Sequence, residues 1–138
     1  MGMPPAECVA FLLVHGGRVL LEKRSAFKAS DPGLTAIPGG HIERGETREQ
    51  ALERELAEEL DIVPESYSYL CSLYHPTTEL QLIHYYVVTR WQGTMTAREA
   101  DEIAWHPLSD ASRAIDIDAD RVALSEYRRI SGSRKAAF

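Results

Sequence analysis

The segment from residue 47 to residue 60 constrains the fold more than any other part of the chain. It reads Thr-Arg-Glu-Gln-Ala-Leu-Glu-Arg-Glu-Leu-Ala-Glu-Glu-Leu and consists almost entirely of strong helix formers. Thr47 is followed three residues later by Gln50, which is the spacing of a capping box. We therefore predict a helix that begins just after Thr47 and ends near Leu60.

The segments around this helix have the composition of β-strands. Aliphatic and β-branched runs at residues 8–14 and 19–21 flank two glycines and predict a hairpin. Residues 67–74 and 80–91 are rich in aromatic and β-branched side chains on both faces, as expected of strands buried within a sheet. The length of 138 residues predicts one domain with a substantial core.

Weaker signals divide the rest of the chain. Residues 25–40 contain two turn signals and are predicted to be mostly loop. A short strand is predicted at 103–105, and a helix at 122–130 with Asp118 or Asp120 placed to cap it. We predict a single domain over residues 1–131 and a frayed C-terminal tail over 132–138.

The negative charge of the chain is concentrated in one segment. Residues 41–65 hold nine acidic and three basic side chains, so they account for the whole formal net charge of -6. The remainder is neutral and has no basic face that would bind a nucleic acid polymer. No apolar run approaches the roughly 20 residues that span a bilayer. We therefore expect no membrane association. The two cysteines, Cys8 and Cys71, match no metal or disulfide spacing, which favours a cytoplasmic protein with reduced thiols.

Three carboxylates of the predicted helix share one side. At about 100° per residue, Glu55, Glu58 and Glu59 fall within an arc of roughly 100°. This arc borders the apolar stripe of the helix, where uncompensated like charges are unfavourable. A solvated helix with spaced ion pairs is the ordinary alternative. Carboxylate oxygens at this density suit Mg²⁺, with Mn²⁺ as a second choice, better than zinc.

Two glycines precede this helix and connect it to a known motif. Gly39 and Gly40 allow the main chain to approach an ion or a phosphate closely. Gly40, then five residues, Glu46, then seven residues, Arg54-Glu55-Leu56-Ala57-Glu58-Glu59 and Ile62 resembles the Nudix box. One position departs from the box, because Asp61 stands where a glycine is usual near the helix end. Asp tolerates the left-handed conformation of a helix cap, so we expect a modest loss of stability and little loss of chemistry.

The resemblance, which extends over roughly residues 6–130 and favours the MutT-like subgroup, implies a fold and an activity. The fold would be an α/β/α sandwich with a mixed β-sheet and a catalytic loop-helix-loop. The activity would be divalent-metal-dependent hydrolysis of a nucleoside diphosphate linked to another group. The implied metal ligands and catalytic residues are Glu55, Glu58 and Glu59, with the carbonyl of Gly40 as a further ligand, whereas Glu46 and Arg54 would pair to brace the loop against the helix.

Other residues are assigned by position in this subgroup. Glu99 stands six residues after Gly93, where a loop glutamate reaches the metals in several members, although a solvated loop acid is the alternative. Glu55 or Glu99 would accept the proton of the attacking water. Arg24 and Gly39 would contact substrate phosphate. Asp118 or Asp120 would read a base edge, although helix capping explains both equally well.

The substrate is less constrained than the reaction. The subgroup favours a nucleoside triphosphate cleaved to monophosphate and pyrophosphate. Ile37 stands where the enzyme for oxidised guanine has an aromatic residue, which argues against that specificity. ADP-ribose, coenzyme A and dinucleoside polyphosphates remain alternatives, as does a non-catalytic nucleotide-binding module of the same fold. A homodimer is also left open, since nothing in the sequence identifies an interface.

Overall fold

A computed structural model describes residues 2–136 and shows a seven-stranded mixed sheet between helices in that range. No helix there is long and apolar enough to cross a membrane. The elements in chain order are β1 (Ala6–His15), β2 (Arg18–Lys23), β3 (Thr35–Ala36), β4 (Gly39–His41), α1 (Arg48–Leu60), β5 (Val63–Pro76), β6 (Leu80–Gln92), β7 (Glu102–Pro107), α2 (Ala111–Ala114) and α3 (Asp118–Ala136).

Strand β1 is the centre of this sheet because it is apolar on both faces and buried over most of its length. It pairs in parallel with β6, from Ala6 opposite Gln81 to Leu13 opposite Val88. Its C-terminal end pairs antiparallel with β2, and its N-terminal half pairs antiparallel with β4. Strand β5 completes one edge beside β6, while β3 and β7 both pair with β2.

The helices cover opposite faces of the sheet. The leucine stripe of α1, Leu52, Leu56 and Leu60, packs on the face that carries Val9 and Phe11. Each of these leucines is fully buried, which stabilises the fold by about 1.5–3 kcal/mol apiece. Residues of α2 and α3 pack on the other face. The predicted α/β/α sandwich with a mixed sheet is confirmed.

The weaker signals are met in part. The segment 25–40 is mostly loop, as expected, apart from β3 and the first residues of β4. The second predicted helix is longer than expected, because α3 spans Asp118–Ala136 and takes in most of the predicted frayed tail. Residues 137 and 138 of that tail lie outside the described range.

Candidate active site

A cleft of about 380 Å³ opens between α1, β4 and the loops that follow β2 and β6. It separates the predicted site residues into two groups. Asp118 and Glu46 do not line it. The predicted residues that do line it are Arg24, Gly39, Gly40, Arg54, Glu55, Glu58, Glu59, Glu99 and Asp120.

Both ends of α1 are fixed by local contacts. At the start, the side chain of Thr47 accepts a hydrogen bond from the backbone N–H of Gln50, and the Gln50 side chain accepts one from the N–H of Thr47. This is the predicted capping box. At the end, Asp61 adopts the left-handed conformation with φ 60° and ψ 39°, the role that glycine commonly fills. The helix therefore presents its carboxylates on a frame defined at both termini.

Arg54 links the loop before α1 to the helix. Its Nε and Nη2 donate to the Glu46 carboxylate at 2.7 and 2.9 Å, and Nη2 also donates to the carbonyl of His41 at 2.9 Å. Its Nη1 donates to Glu55 at 2.9 Å and to Glu58 at 3.1 Å. The hydrogen bonds from Arg54 and from the Glu43 amide lower the pKa of Glu46. Arg54 thus holds the acids at fixed positions while it offsets their repulsion.

Glu55 lies against the backbone of β4. A Cβ atom at residue 40 would overlap the Glu55 carboxylate, so only glycine leaves room for this approach. Glu55 is buried, and burial raises its pKa while the hydrogen bond from Arg54 opposes that rise. The carboxylate and the main chain of Gly40 consequently meet at one point of the cleft.

Glu59 is the most unusual acid in the cleft. It is 4% exposed, and within the described residues its Oε2 has no hydrogen-bond partner. Burial raises its pKa far above the ordinary range, and the negative charge of Glu22 adds to the rise. A buried carboxylate without donors is unfavourable unless a positive charge reaches it.

Glu99 lines the cleft from the loop after β6 and is paired with a lysine of the loop after β2. Lys28 Nζ donates to Glu99 Oε2 at 3.1 Å. The backbone amide of Arg98, its neighbour in the chain, donates to the carbonyl of Glu59 at 3.0 Å. The loop that follows β6 is thereby attached to the helix, which explains how residues 40 positions apart reach one cleft.

The donor set fits a hard divalent cation. Within residues 2–136, no three His, Cys, Asp or Glu side chains already stand as a coordination set. Arg54 instead holds Glu55 and Glu58, and Lys28 holds Glu99. Two features would serve such a cation. Oε2 of Glu59 has no partner within the described residues, and the main chain of Gly40 lies close to the Glu55 carboxylate. Oxygen donors of this kind suit Mg²⁺ or Mn²⁺.

Arg24 lines the cleft with part of its guanidinium engaged. Its Nε and Nη2 donate to the carbonyl of Ser30 at 3.1 and 3.0 Å, and its Nη1 is 3.5 Å from Glu22. Arg24 therefore supports the loop after β2 as well as placing a positive charge at the cleft wall.

Glu22 was missed by the sequence analysis. It is 4% exposed, and burial raises its pKa to about 7 despite the opposing charge of Arg24. Leu20 belongs to the core cluster on the α1 side of the sheet, and Leu21 to the cluster on the opposite side. By strand alternation Glu22 follows Leu20. An acid at an inward-facing position of an apolar strand was the signal that could have identified it.

Asp120 and Asp118 separate clearly in the structure. Asp120 is 3% exposed and accepts hydrogen bonds from the backbone N–H of Ile37 at 2.9 Å and from Tyr85 Oη at 2.6 Å. The side chain of Asp118 is 96% exposed and forms an ion pair with Arg121. The structure does not place Asp118 among the residues that line the cleft, so of the two acids predicted as alternatives for reading a base edge only Asp120 lies there. Both acids lie in the first turn of α3, which begins at Asp118, so neither is the residue before the helix that the sequence predicted one of them to be.

Comparisons with known proteins agree with this geometry. The NUDIX domain family model matches residues 3–127. The chain is 30% identical over 135 residues to the CTP pyrophosphohydrolase of Escherichia coli strain K12, covering 97% of this chain and 99% of that protein. It is 38% identical over 123 residues to the 8-oxo-dGTP diphosphatase of the same strain, covering 88% and 95%. The crystal structure of a MutT NUDIX hydrolase from Burkholderia pseudomallei is similar with a TM-score of 0.80 at 28% identity, covering 90% of this chain and 98% of that one. The chain therefore belongs to the NUDIX domain family, in its MutT-like group of pyrophosphohydrolases.

Proposed function

We propose that the protein hydrolyses a nucleoside triphosphate to the monophosphate and pyrophosphate, using a divalent cation held in the cleft. The coarser statement, that it is a Nudix hydrolase acting on nucleotides, follows from its family. Two relatives support the finer one. Both match nearly the whole chain, and both are named for hydrolysis of a nucleoside triphosphate, CTP in one case and 8-oxo-dGTP in the other.

The observation that carries this proposal is the buried Oε2 of Glu59, which has no partner within the described residues. It lies in the same cleft as Glu55, Glu58 and Glu99. A triphosphate would be repelled by these acids alone, because all of the charges have the same sign. A divalent cation supplies the positive charge that neutralises the carboxylates and polarises the phosphoryl oxygens.

Each acid has a distinct place in the proposed site. Glu55, Glu58 and Glu59 would hold the cation from the helix, with the carbonyl of Gly40 and the loop acid Glu99 adding oxygens from other elements. Lys28 and Arg24 are the cations at the wall of the cleft and would bind phosphate oxygens. Part of the Arg24 guanidinium already holds Ser30. The same residue would therefore couple phosphate binding to the position of that loop.

The chemical step breaks one phosphoric anhydride bond. The oxygen of a water molecule bonds to phosphorus, the bridging P–O bond between the α and β phosphates breaks, and the pyrophosphate or the monophosphate leaves with the bridging oxygen. The water loses one proton to a carboxylate, for which Glu55 and Glu99 are the two candidates. Glu55 is held by Arg54 and Glu99 by Lys28, so each is oriented before substrate binds.

A substrate panel tests the proposal. Purified protein is assayed in Mg²⁺ and in Mn²⁺ with CTP, 8-oxo-dGTP, the common nucleoside triphosphates, ADP-ribose, coenzyme A and a dinucleoside polyphosphate. We expect the fastest turnover with a triphosphate, with monophosphate and pyrophosphate in equal amounts by phosphorus NMR and no turnover in EDTA. Release of inorganic phosphate and a diphosphate would contradict the proposed bond, and tight binding without any product would favour the non-catalytic module.

A further inference from the structure

The position of Glu22 is set by β2. Its side chain follows Leu20 toward the face covered by α1, and it is buried among the core residues there. Among the described residues, its contact with a positive charge is a single ion pair with Arg24 at 3.5 Å. That contact is long, and the Nε and Nη2 atoms of Arg24 are directed to Ser30 instead. Glu22 is thus a buried acid with weak compensation.

The loop after β6 brings two further acids to this position. At one end, the amide of Arg98 donates to the carbonyl of Glu59 at 3.0 Å. At the other end, the amide of Asp101 donates to the carbonyl of Lys23 at 2.9 Å, next to Glu22 in the chain. Glu99 lies between these two attachments. The backbone hydrogen bonds therefore join the three segments that carry Glu22, Glu59 and Glu99, although within the described residues their carboxylates do not already stand as a coordination set.

The electrostatics agree with this arrangement. Of the neighbouring charges, Glu22 raises the pKa of Glu59 most, and Glu99 raises the pKa of both other acids. Lys28 is the lysine that faces the group, and it is paired with Glu99. No donor in the described residues reaches Oε2 of Glu59. Three acids thus share two positive groups, of which Lys28 is paired with Glu99 and Arg24 makes only a 3.5 Å contact with Glu22.

We propose that Glu22 belongs to the cation site, holding a divalent cation together with Glu59 and Glu99 where β2, α1 and the loop after β6 meet. This places one ligand outside the helix motif that the sequence identifies. It rests on the proposed function only in that both require a divalent cation. Glu59 and Glu99 line the cleft and Glu22 does not, so Glu22 would reach the cation from behind the cleft wall. The ligand chemistry is that of a hard cation with carboxylate oxygens.

The alternative role for Glu22 is to position Arg24 through their ion pair. Two variants separate the roles. Glu22→Gln removes the charge and keeps the shape, whereas Arg24→Gln removes the ion pair and leaves the carboxylate. Glu102→Gln is the matched control, because Glu102 is an exposed acid on β7, opposite Lys23 of β2.

Binding of Mn²⁺ to the full chain, followed by EPR at fixed pH without nucleotide, is the direct test. We expect Glu22→Gln to bind one Mn²⁺ fewer or at least about tenfold more weakly than the unmodified protein. Arg24→Gln and Glu102→Gln should bind Mn²⁺ normally. An unchanged Mn²⁺ titration for Glu22→Gln would overturn the inference, as would an equal loss in Arg24→Gln.

Melting temperature supplies a second readout that needs no activity. Without metal, Glu22→Gln should melt at or above the temperature of the unmodified protein, because a buried acid near other acids is replaced by a neutral side chain of the same shape. The upward shift caused by Mg²⁺ should be smaller than in the unmodified protein. A purely structural Glu22 would give the opposite pattern, with a lower metal-free melting temperature and a full Mg²⁺ shift.

Glu22→Asp covers the case in which the glutamine variant fails to fold. It keeps the carboxylate on a shorter side chain, so we expect weakened but measurable Mn²⁺ binding, and full Mn²⁺ affinity would count against the inference. Failure of the proposed function is visible separately. If no triphosphate is hydrolysed but Glu22→Gln loses Mn²⁺, only the function is wrong, and if turnover is seen while Mn²⁺ binding is unchanged, only the inference is wrong.

Discussion

Two buried carboxylates come from helices on opposite faces of the sheet and differ in the hydrogen-bond donors that reach them. Asp120, on α3, accepts hydrogen bonds from Ile37 and Tyr85. Glu59, on α1, is equally buried, yet its Oε2 accepts none within the described residues. Both groups line the same cleft.

The difference indicates two uses of a buried charge. Where donors surround the acid, it joins elements together, and Asp120 links α3 to the backbone before β4 and to the phenol on β6. Where donors are missing, the fold contains an unpartnered buried acid, and a cation that binds it would relieve that cost. Proteins retain such groups at functional sites, and the cleft contains both kinds side by side.

Glu59→Gln is the strongest test of this contrast. Loss of a carboxylate that holds the cation should lower kcat/KM by at least about a hundredfold, since even outer partners of metal ligands contribute 10- to 100-fold. The metal-free melting temperature should not fall, because glutamine keeps the shape of the side chain and Oε2 of Glu59 has no hydrogen bond to lose within the described residues. Steady-state kinetics and thermal melts measure the two effects.

Glu53→Gln is the matched control for this variant, because Glu53 lies on the exposed side of α1. It should leave both kcat/KM and the melting temperature nearly unchanged. If Glu59→Gln kept full activity, or if Glu53→Gln lost as much as Glu59→Gln, the special role of Glu59 would be wrong.

The adjacent glycines should separate activity from stability. A Cβ in Gly40→Ala would displace the Glu55 carboxylate, so activity should fall on the order of 10- to 100-fold with little loss of stability. A Cβ in Gly39→Ala would meet the backbone of Val9 and Ala10 and should destabilise the fold by about 1–3 kcal/mol. Kinetics and urea unfolding of both variants test this, and the reverse pattern would break the assignment of Gly40 to the site.

Tyr85→Phe should weaken the hydrogen bonding of Asp120, the buried acid that has donors. It removes one of the two donors to Asp120 and leaves a buried carboxylate oxygen unpaired, which should lower the free energy of unfolding by about 1–3 kcal/mol. Urea unfolding measures this loss. The variant would leave Asp120 with an unpartnered oxygen, as Glu59 has. If its free energy of unfolding without metal equalled that of the unmodified protein, the hydrogen bond from Tyr85 would contribute nothing to stability.

A smaller effect is expected in the pH dependence of stability. Burial raises the pKa of Asp120 to about 6, although the hydrogen bonds from Tyr85 and Ile37 oppose the rise. Because the folded protein binds this proton more tightly than the unfolded chain does, the contribution is full below pH 4 and is lost as pH rises through 6. Relative to Asp120→Asn, the unmodified protein should lose about 1 kcal/mol between pH 5 and 6.5. A constant difference across this range would indicate that Asp120 keeps its ordinary pKa.

The sequence predicted those features that depend on local chemistry. The α1 helix and its capping box were identified because helix formers and the Thr47–Gln50 spacing act within one turn. The hairpin of β1 and β2 was identified from its glycines, and Gly16 and Gly17 adopt the positive φ values, 58° and 75°, that the turn requires. The acids of α1 were placed by helical periodicity alone.

Features that depend on distant pairing were not predictable in the same way. Strand β4 is Gly-Gly-His, which has no strand propensity, and it is extended because it pairs with β1. The opposite fates of Asp118 and Asp120 follow from which side of α3 faces Tyr85. Glu22 was missed because a charged residue in a short strand is usually exposed. Its burial depends on distant contacts, such as the loop after β6 that attaches beside it at Lys23.

The parallel pairing of β1 with β6 has a consequence for how the chain is made. Strand β1 ends at His15, and its long partner is complete only near Val88, so 73 residues must be synthesised in between. At roughly 5–20 residues per second this takes about 4–15 seconds. Throughout that interval the apolar strand β1 lacks its partner β6. The nascent protein should therefore be most prone to aggregation early in translation, and a chaperone that binds extended apolar segments would act on β1 first.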